Sequence, residues 1–373
     1  MTIRIGVPAE TAAGERRVAL VPDGVQMLLK AKGAADGGIT VVVQRGAGLG
    51  AAASDDAYAK AGAELAADAA AVFGGSDIIV KIQRLTDAEL AMVREGSTVV
   101  SLLGTGADGY ADRVAGRRVS ALALERVPRI TRAQSMDVLS SQSTVSGYKA
   151  VLIAASELGK IFPMLTTAAG SLAPSRVFVI GAGVAGLQAI ATARRLGAVV
   201  SAFDVRPAAR EQVQSLGATF VAAEVVTQSA EAAGGYARAQ SEDERQRTLA
   251  AIAGHLPGVD VVISTAQVPG KPAPRLLTGD MVRSMRPGSV IVDLAAETGG
   301  NCEMTRPGST VDAGGVTVIG PLNVPATVPV HASQMFSRNI VTLLQHLIKD
   351  GVLTVDRGDE ITGAMMITPG GPA

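Results

Sequence analysis

The first third of the chain alternates between short apolar, β-branched runs and longer amphipathic stretches. Continuous apolar runs are typical of strands buried on both faces, whereas an apolar period near 3.6 residues is typical of helices. The predicted strands are 3–7, 40–44, 77–81, 98–102 and 119–124, and the predicted helices are 24–32, 55–70, 87–93 and 111–115. Strands that alternate with helices in this way predict parallel βαβ units.

A polar segment, residues 126–144, interrupts this alternation and precedes a long helical pattern over 145–158. Ser143 or Thr144 is the expected N-cap of that helix, because hydroxyl oxygens accept hydrogen bonds from free helical N–H groups. A second long helix is predicted over 330–349, after a proline-rich stretch, and a short strand pair within 352–366. Between the two long helices, the alternation predicts strands 176–180, 199–204, 260–264, 289–294 and 316–319.

This order of elements predicts an α/β protein with two doubly wound, parallel-sheet domains that are joined by long helices. We expect residues 1–143 and 329–373 to form the first domain, so that the C-terminal segment returns to complete it. Residues 144–328 are expected to form the second domain.

A glycine-rich turn in the second domain has the strongest local signal for chemistry. The sequence RVFVIGAGVAGLQAI combines a buried-strand pattern, the spacing GxGxxG and the start of a helical pattern. Gly181 permits a tight turn, Gly183 lets the backbone approach a pyrophosphate, and Gly186 lets the helix pack closely on the strand. The N–H groups at this helix start, together with Ala182 and Val184, are expected to bind the phosphates.

Asp204 stands at the end of the next predicted strand. A carboxylate there accepts hydrogen bonds from the adenosine ribose hydroxyls and repels a 2′-phosphate, which favours NAD(H) over NADP(H). Val205 and Arg206 follow it, and an arginine at this position can instead accommodate a 2′-phosphate. The residues therefore predict an NAD(H) site and leave open how far Arg206 relaxes the preference.

The composition excludes several other classes of protein. Hydrophobic residues make up 47% of the 373 residues, and Lys plus Arg equals Asp plus Glu at 34, so neither disorder nor a general nucleic-acid grip is expected. The single cysteine, Cys302, excludes an internal disulfide framework and favours a reducing compartment. The longest apolar stretch is interrupted by three glycines and Gln188, so no membrane span is expected. No His, Cys or Asp cluster has metal-ligand spacing, so no metal is expected.

Four segments together resemble a known family. They read GVPAETAAGERRVALVPDGV, RVPRITRAQSMDVLSSQSTVSGYK, IGAGVAGLQAIATARRLGAVVSAFDVR and AGGYAR. They resemble the NAD(H)-binding domain I, on the alpha subunit, of proton-translocating transhydrogenase, from the N-terminus to about Ala326. The first of them is also similar to alanine dehydrogenase, a sister family with the same fold.

The resemblance implies that the chain works with partners. NADH on this domain would pass hydride to NADP(H)-binding domain III, which holds NADP⁺, and membrane domain II would couple the transfer to proton translocation. The expected assembly is a homodimer that lies in the cytoplasm and docks on the inner (plasma) membrane through these partner subunits. The chain alone would bind NADH without completing a cycle.

The polar segment 126–144 contains the catalytic residues that the resemblance implies, namely Arg129, Gln134 and Asp137. Gln134 would bridge toward the partner nucleotide, while Arg129 and Asp137 would hold the nicotinamide ribose and phosphates. Their role would be positioning, in which an error near 1 Å costs about a hundredfold in rate. Taken without the resemblance, the segment is also explained as an ordinary polar connection. Its other expected cofactor contacts are Ile130, Thr131, Ser135, Met136 and Ser140.

Two further regions of the second domain are implied by the resemblance. Gly235 and Tyr236 belong to a loop that is expected to close over the nucleotide, and the backbone near Ala266 and Gln267 is expected to contact the adenosine. In the first domain, Lys81 matches a lysine of both families. It is equally explained as a solvated side chain at a strand end.

The two sister chemistries differ in their need for a proton-exchanging group. Alanine dehydrogenase must move protons near neutral pH, for which histidine is suited, but Leu102 stands at the position of that family's histidine and Glu297 at that of its catalytic aspartate. The three histidines, His255, His331 and His346, lie outside the expected substrate pocket. Because hydride transfer between nicotinamides makes or breaks no N–H or O–H bond, we expect transhydrogenation. An amino-acid dehydrogenase and a non-catalytic NAD(H)-sensing module are the alternatives.

Overall fold

The computed structural model describes residues 2–31, 38–104, 109–222, 241–268 and 270–367. The chain divides into two compact units, Met1–Gln142 with Pro325–Ala373 and Ser143–Val324.

The first unit is built on a six-stranded sheet with helices between its strands. From the N-terminus, its elements are β1 (Ile3–Val7), α1 (Pro22–Leu29), β2 (Ile39–Gln44), α2 (Asp55–Lys60), β3 (Glu64–Ala66), α3 (Ala69–Gly75), β4 (Ile78–Val80), α4 (Asp87–Met92), β5 (Thr98–Ser101), α5 (Tyr110–Gly116) and β6 (Ser120–Ala123). The strands are all parallel, in the order β3-β2-β1-β4-β5-β6. Apolar clusters include alternate residues of the same strands, so the sheet is buried on both faces, as its continuous apolar runs predicted.

The predicted helix 55–70 was wrong, because a strand interrupts it. Gly62 takes a left-handed conformation with φ +95°, and the chain turns out of α2 there. Residues 64–66 then pair with β2 as the edge strand of the sheet.

The long helix α6 (Val138–Glu157) begins earlier than the sequence predicted. Ser143 and Thr144 therefore lie inside the helix, and the expectation that one of them caps it was wrong. Asp137 occupies the capping position instead, and its Oδ1 accepts the N–H of Ser140 at 2.9 Å. The division between the two units falls within this helix.

The second unit contains a seven-stranded sheet and a separate hairpin. Its elements are β7 (Leu165–Thr167), β8 (Gly170–Leu172), β9 (Arg176–Ile180), α7 (Val184–Arg195), β10 (Val199–Phe203), α8 (Ala209–Ser215), β11 (Thr219–Phe220), α9 (Glu242–His255), β12 (Val261–Ser264), α10 (Gly279–Arg283), β13 (Val290–Asp293), β14 (Thr310–Asp312) and β15 (Thr317–Ile319). The sheet order is β11-β10-β9-β12-β13-β15-β14, and its strands are parallel except that β14 runs antiparallel to β15. The hairpin pairs β7 with β8. The two sheets confirm the doubly wound α/β class.

The C-terminal segment belongs to the first unit and consists of α11 (Pro329–Leu347), β16 (Ile348–Lys349), β17 (Val352–Leu353) and α12 (Glu360–Met365). The apolar side of α11, including Phe336, Ile340 and Leu344, lies in the core of that unit. The strand pair predicted within 352–366 was wrong in its bounds. The pairing joins β16 to β17, and α12 follows because the Asp359 carboxylate accepts the N–H groups of its first turn.

Candidate nucleotide-binding site

The three glycines of the turn between β9 and α7 have different steric surroundings. Gly181 has φ +93°, a conformation that favours glycine. A Cβ atom on Gly186 would lie 1.8 Å from the carbonyl oxygen of Gly181, so no side chain fits there. A Cβ on Gly183 would meet no atom of the described residues within 4 Å. Gly181 and Gly186 are therefore required by the fold, whereas Gly183 borders open space.

The start of α7 presents backbone donors toward that open space. Gly183 is the N-cap and has no side chain that could accept from the first turn, and Val184 is 40% exposed. The first N–H groups of a helix have no intrahelical partner and carry a partial positive charge. Close packing fixes the position of this turn, since a Cβ on Gly147 of α6 would lie 2.0 Å from the Ala185 carbonyl oxygen. The arrangement suits a phosphate group.

Asp204 follows β10 directly, and the fold brings it to the glycine turn. Its Oδ2 accepts the N–H of Ala182 at 2.7 Å and Nη2 of Arg206 at 2.9 Å, while Oδ1 accepts the N–H and Nε of Arg206, both at 2.9 Å. A carboxylate offers about four lone-pair positions, and these four bonds use them. The carboxylate is 6% exposed, so a ribose hydroxyl reaches it only by replacing a donor of Arg206. Val205, between the two, is half-buried.

The strand end after β12 is organised by a residue that the sequence did not single out. Asn301 is fully buried, and its Oδ1 accepts the N–H of Ala266 at 3.0 Å while its Nδ2 donates to the Ala266 carbonyl at 2.8 Å. The Gln267 side chain is exposed, and its Nε2 donates to the Leu294 carbonyl at 3.1 Å. The backbone polar groups of Ala266 are thus already bonded within the protein. A contact to the adenosine through them requires Asn301 to release one.

Asp293, at the end of β13, is a second organising residue that sequence reasoning missed. Its carboxylate is fully buried and accepts hydrogen bonds from Ser264 Oγ at 2.9 Å, Thr305 Oγ1 at 2.6 Å and the Cys302 N–H at 3.0 Å. These bonds hold the ends of β12 and β13 at one edge of the sheet. A buried-strand pattern that ends in aspartate was the available signal for it.

The segment implied for the nicotinamide side lies in the first unit, where a short 3₁₀ helix spans Thr131–Met136. Arg129, Thr131, Gln134 and Ser135 are exposed, so a ligand can reach their side chains. Ile130 packs against the core, and Met136 is only 5% exposed within it. The Met136 side chain is therefore a core residue, and only its backbone could contact a nucleotide.

Asp137 and Ser140 form a local pair at the start of α6. The Ser140 hydroxyl donates to Oδ2 of Asp137 at 2.6 Å, and the Ser140 N–H donates to Oδ1. Asp137 therefore has a structural role as a helix cap, whatever further contacts it makes.

Lys81 is buried and not solvated, which excludes the strand-end explanation. The residue is 1% exposed, and its Nζ lies 3.2 Å from the Glu10 carboxylate and 3.5 Å from that of Glu89. Burial raises the pKa of Glu10, although the Lys81 ammonium and the backbone N–H groups of Ile82 and Gln83 act to lower it. This charge cluster lies where β1 and β4 end.

A second buried ion pair lies in the first unit. Arg17 is 4% exposed and donates from Nε and Nη2 to Glu15, at 2.8 and 2.7 Å, and from Nη1 to Gln142 at 2.7 Å. Gln142, in α6, donates in turn to the Ala332 carbonyl of α11 at 3.0 Å. These bonds tie the N-terminal loop to the start of α6.

Neither of the two positions that distinguish the sister chemistries has a free proton-exchanging group. Leu102 packs partly buried against the core of the first unit. Oε1 of Glu297, in the second unit, accepts the N–H of Asn323.

The histidines do not form a proton-exchanging site either. His255 bonds Ser201 Oγ at 2.7 Å, and burial, followed by the Arg176 charge, lowers its pKa. His346 bonds Asp359 at 2.9 Å, and His331 is an exposed residue of α11.

Gly235 and Tyr236 lie outside the described residues. Among the residues that are described, no group of three or more His, Cys, Asp or Glu side chains could hold a metal ion. Nor does any described helix combine the length and the apolar character that a membrane span requires.

Comparisons with known proteins assign the chain to a family. Two family models match it, "Alanine dehydrogenase/PNT, N-terminal domain" over residues 6–146 and "Alanine dehydrogenase/PNT, C-terminal domain" over 150–372. The NAD(P) transhydrogenase alpha subunit of Rhodospirillum rubrum, in its first portion, is 44% identical, over 99% of this chain and 97% of that relative. Alanine dehydrogenase of Mycobacterium tuberculosis is 30% identical, over 88% of this chain and 82% of the relative. The crystal structure of transhydrogenase from Sinorhizobium meliloti is 42% identical and superposes with a TM-score of 0.88, covering 99% of both chains. The chain therefore belongs to the alanine dehydrogenase/PNT family of oxidoreductases, and among these relatives it is more similar to the transhydrogenases.

Proposed function

We propose that this chain is the NAD(H)-binding subunit of a proton-translocating NAD(P) transhydrogenase. It transfers hydride between its own NAD(H) and NADP(H) held on a partner, domain III. A separate membrane domain II couples the transfer to proton translocation, and the chain associates with the membrane from the cytoplasm through these partners. Its similarity along nearly the whole chain to a transhydrogenase alpha subunit supports this proposal.

The cofactor assignment is supported by the open start of α7. The pyrophosphate binds the N–H groups of the Gly183–Gly186 turn, where no protein side chain competes for them. Asp204 selects NAD(H), because its carboxylate repels a 2′-phosphate and its bonds to Arg206 neutralise the one nearby cation that could attract it. Gly235 and Tyr236 close over the bound nucleotide, and the backbone of Ala266 and Gln267 contacts its adenosine.

The choice of reaction rests on a single observation, the half-buried Leu102 after β5. Oxidation of an amino acid needs an acid or base at the reacting carbon, whereas hydride transfer between nicotinamides needs only alignment of the rings. Arg129 and Gln134 have exposed side chains suited to that alignment, and Gln134 reaches the partner nucleotide. Asp137 and Arg129 hold the nicotinamide ribose and phosphates.

The proposed homodimer is supported by an apolar surface on the second unit. Ile161, Met164, Leu165 and Leu172, in and beside the β7–β8 hairpin, are 39% to 69% exposed. A groove of about 710 Å³ lies beside them and is lined in part by Phe162 and other apolar residues. A protrusion next to a matching groove on the same surface is what a two-fold interface between identical chains requires. A monomeric mass in light scattering, unchanged by Leu172→Glu, would contradict this assembly.

The decisive experiment measures hydride transfer from NADH to an NADP⁺ analogue by the purified chain, with and without added domain III. Transfer that requires domain III supports the proposal, and Gln134→Asn should then slow the transfer while NADH affinity stays nearly unchanged. If NADH binds but no transfer occurs with a competent domain III, the proposal fails.

Alanine dehydrogenase activity is the second candidate, since a substrate carboxylate needs a cation and Lys81 and Arg17 lie near strand ends of the first unit. Both cations already carry internal carboxylates, at 3.2 and 2.7 Å, which disfavours this function. Alanine-dependent reduction of NAD⁺ would establish it. Failure of both reactions, with NADH still bound, would leave an NAD(H)-sensing module.

A further inference from the structure

Asn339 of α11 is a buried polar residue that the proposed site does not yet use. It is 8% exposed, and both ends of its side-chain amide are bonded. Nδ2 donates to the Ser135 carbonyl at 2.8 Å, and Oδ1 accepts from the Ser141 hydroxyl at 2.7 Å. Its partners lie 204 and 198 positions away in the chain, so these bonds are purely tertiary.

The carbonyl that Asn339 holds lies between the two residues assigned to ring alignment. Ser135 directly follows Gln134 and precedes Asp137 by two positions. On either side, the side chains of Ala133 and Met136 are anchored in the core of the first unit. The exposed pair Gln134 and Ser135 therefore forms a short arch, and the Asn339 bond fixes the carbonyl at its C-terminal foot.

The second bond of Asn339 reaches the next element. Ser141 lies in the first turn of α6, which Asp137 caps. One planar amide thus sets the distance between the 3₁₀ helix and the start of α6, with Asp137 between them. No rotation of Asn339 keeps both bonds, because its donor and acceptor are on opposite sides of the amide.

Other contacts of the segment are less able to fix the arch. Arg132 bonds Glu360 at 3.0 Å, but the two side chains are 53% and 61% exposed, and such pairs contribute little. Gln142 bonds the Ala332 carbonyl of α11 at 3.0 Å, a full turn farther into α6 than Asp137.

We propose that Asn339 is a positioning residue for hydride transfer, which it serves by holding the Ser135 carbonyl and thereby Gln134 and Asp137. This inference rests on the proposed function for its kinetic consequence. Asn339 touches neither nucleotide, so its replacement changes the geometry of the arch and leaves the pyrophosphate contacts of the second unit unaltered.

Two near-isosteric changes separate the two bonds. Asn339→Asp keeps the acceptor for Ser141 but has no N–H for the Ser135 carbonyl, whereas Ser141→Ala removes only the other bond. Asn339→Asp should slow hydride transfer to domain III at least tenfold with NADH affinity within about twofold, since an error near 1 Å costs about a hundredfold. Ser141→Ala should have a smaller effect. Thr342→Ala, on the same helix, is the matched control and should behave as wild type.

Amide hydrogen exchange provides the readout that does not depend on activity. The N–H groups of Ala133 and Asp137 bond the Ile130 and Gln134 carbonyls, at 3.0 and 3.3 Å, and report on the arch. Both should exchange faster in Asn339→Asp than in Thr342→Ala. Unchanged exchange, or equal slowing of hydride transfer by Asn339→Asp and Ser141→Ala, overturns the positioning role. If wild type transfers no hydride, the proposed function fails, and the exchange result still decides whether Asn339 holds the arch.

Discussion

The carboxyl edges of the two sheets have the same topology and opposite contents. In each sheet the central strands run in the order β2-β1-β4-β5 or β10-β9-β12-β13, so chain connections diverge between the first and third of the four in chain order. Doubly wound sheets bind ligands at such a point. In the second unit, the edge presents free N–H groups and open space beside Gly183. In the first, buried side chains of opposite charge, Lys81 with Glu10 and Glu89, fill the corresponding edge.

The difference shows that topology offers a ligand site and that local chemistry decides whether the protein occupies it itself. Helical N–H groups keep their partial charge without any side-chain charge having to leave water. Lys81 and its carboxylates do leave water, and their mutual attraction must offset that cost. We therefore expect substitutions at the second edge to change ligand binding and those at the first edge to change stability.

The largest effect is expected at the glycine turn. Gly186→Ala places a Cβ 1.8 Å from the Gly181 carbonyl oxygen, which must shift the start of α7. The change should lower the free energy of unfolding by about 3 kcal/mol and abolish detectable NADH binding in a fluorescence titration.

Gly183→Ala is the matched control for that experiment. Its Cβ meets open space, so stability should stay within about 1 kcal/mol while NADH affinity falls about tenfold, the equivalent of one lost hydrogen bond. Wild-type affinity in Gly183→Ala would remove the pyrophosphate from this turn.

A large stability effect without a binding effect is expected at the first edge. Lys81→Met leaves the carboxylates of Glu10 and Glu89 buried without their cation, and the free energy of unfolding should fall by about 3–5 kcal/mol. Arg283→Met, which breaks an exposed pair with Asp280, should cost at most about 1 kcal/mol. Urea denaturation measures both. Loss of NADH binding by folded Lys81→Met would contradict the separation of roles.

A moderate effect on cofactor choice is expected at Asp204. Asp204→Ala removes the acceptor of the Ala182 N–H and releases the Arg206 guanidinium. NADH affinity should fall about tenfold, while the affinity for NADPH relative to NADH should rise, because the freed arginine can hold a 2′-phosphate. Titration with both nucleotides tests this, and adding Arg206→Ala should reverse the gain for NADPH. Unchanged NADH affinity in Asp204→Ala would exclude Asp204 from the ribose contact.

The smallest effect is a change in pH dependence at the first edge. Folding raises the pKa of Glu10 above its ordinary value of 4.5, chiefly through burial. The folded chain therefore holds that proton more tightly, and this stabilising contribution is present below 4.5 and lost as pH rises through the raised pKa. Glu10→Gln should remove that fall in stability. Denaturation curves of wild type and variant from pH 4.5 upward check this, and parallel curves would contradict it.

The period of the apolar residues predicted the parallel sheets well, because strands buried on both faces leave continuous apolar runs. It failed where one residue changes the backbone direction, as at Gly62, and where an aspartate caps a helix inside a polar segment, as at Asp137. It also gave no sign of edge strands as short as Thr219–Phe220.

By itself, the sequence determined the doubly wound architecture and the glycine turn, since both depend on contacts among residues close in the chain. Only the tertiary structure decided which polar groups remain available to a ligand. Arg206 turned out to be bonded to Asp204, Ala266 to Asn301, and Lys81 to two carboxylates. The Ser135 carbonyl is held by Asn339, 204 positions away. A polar residue is used up or left free by its neighbours in space, and spacing along the chain does not record them.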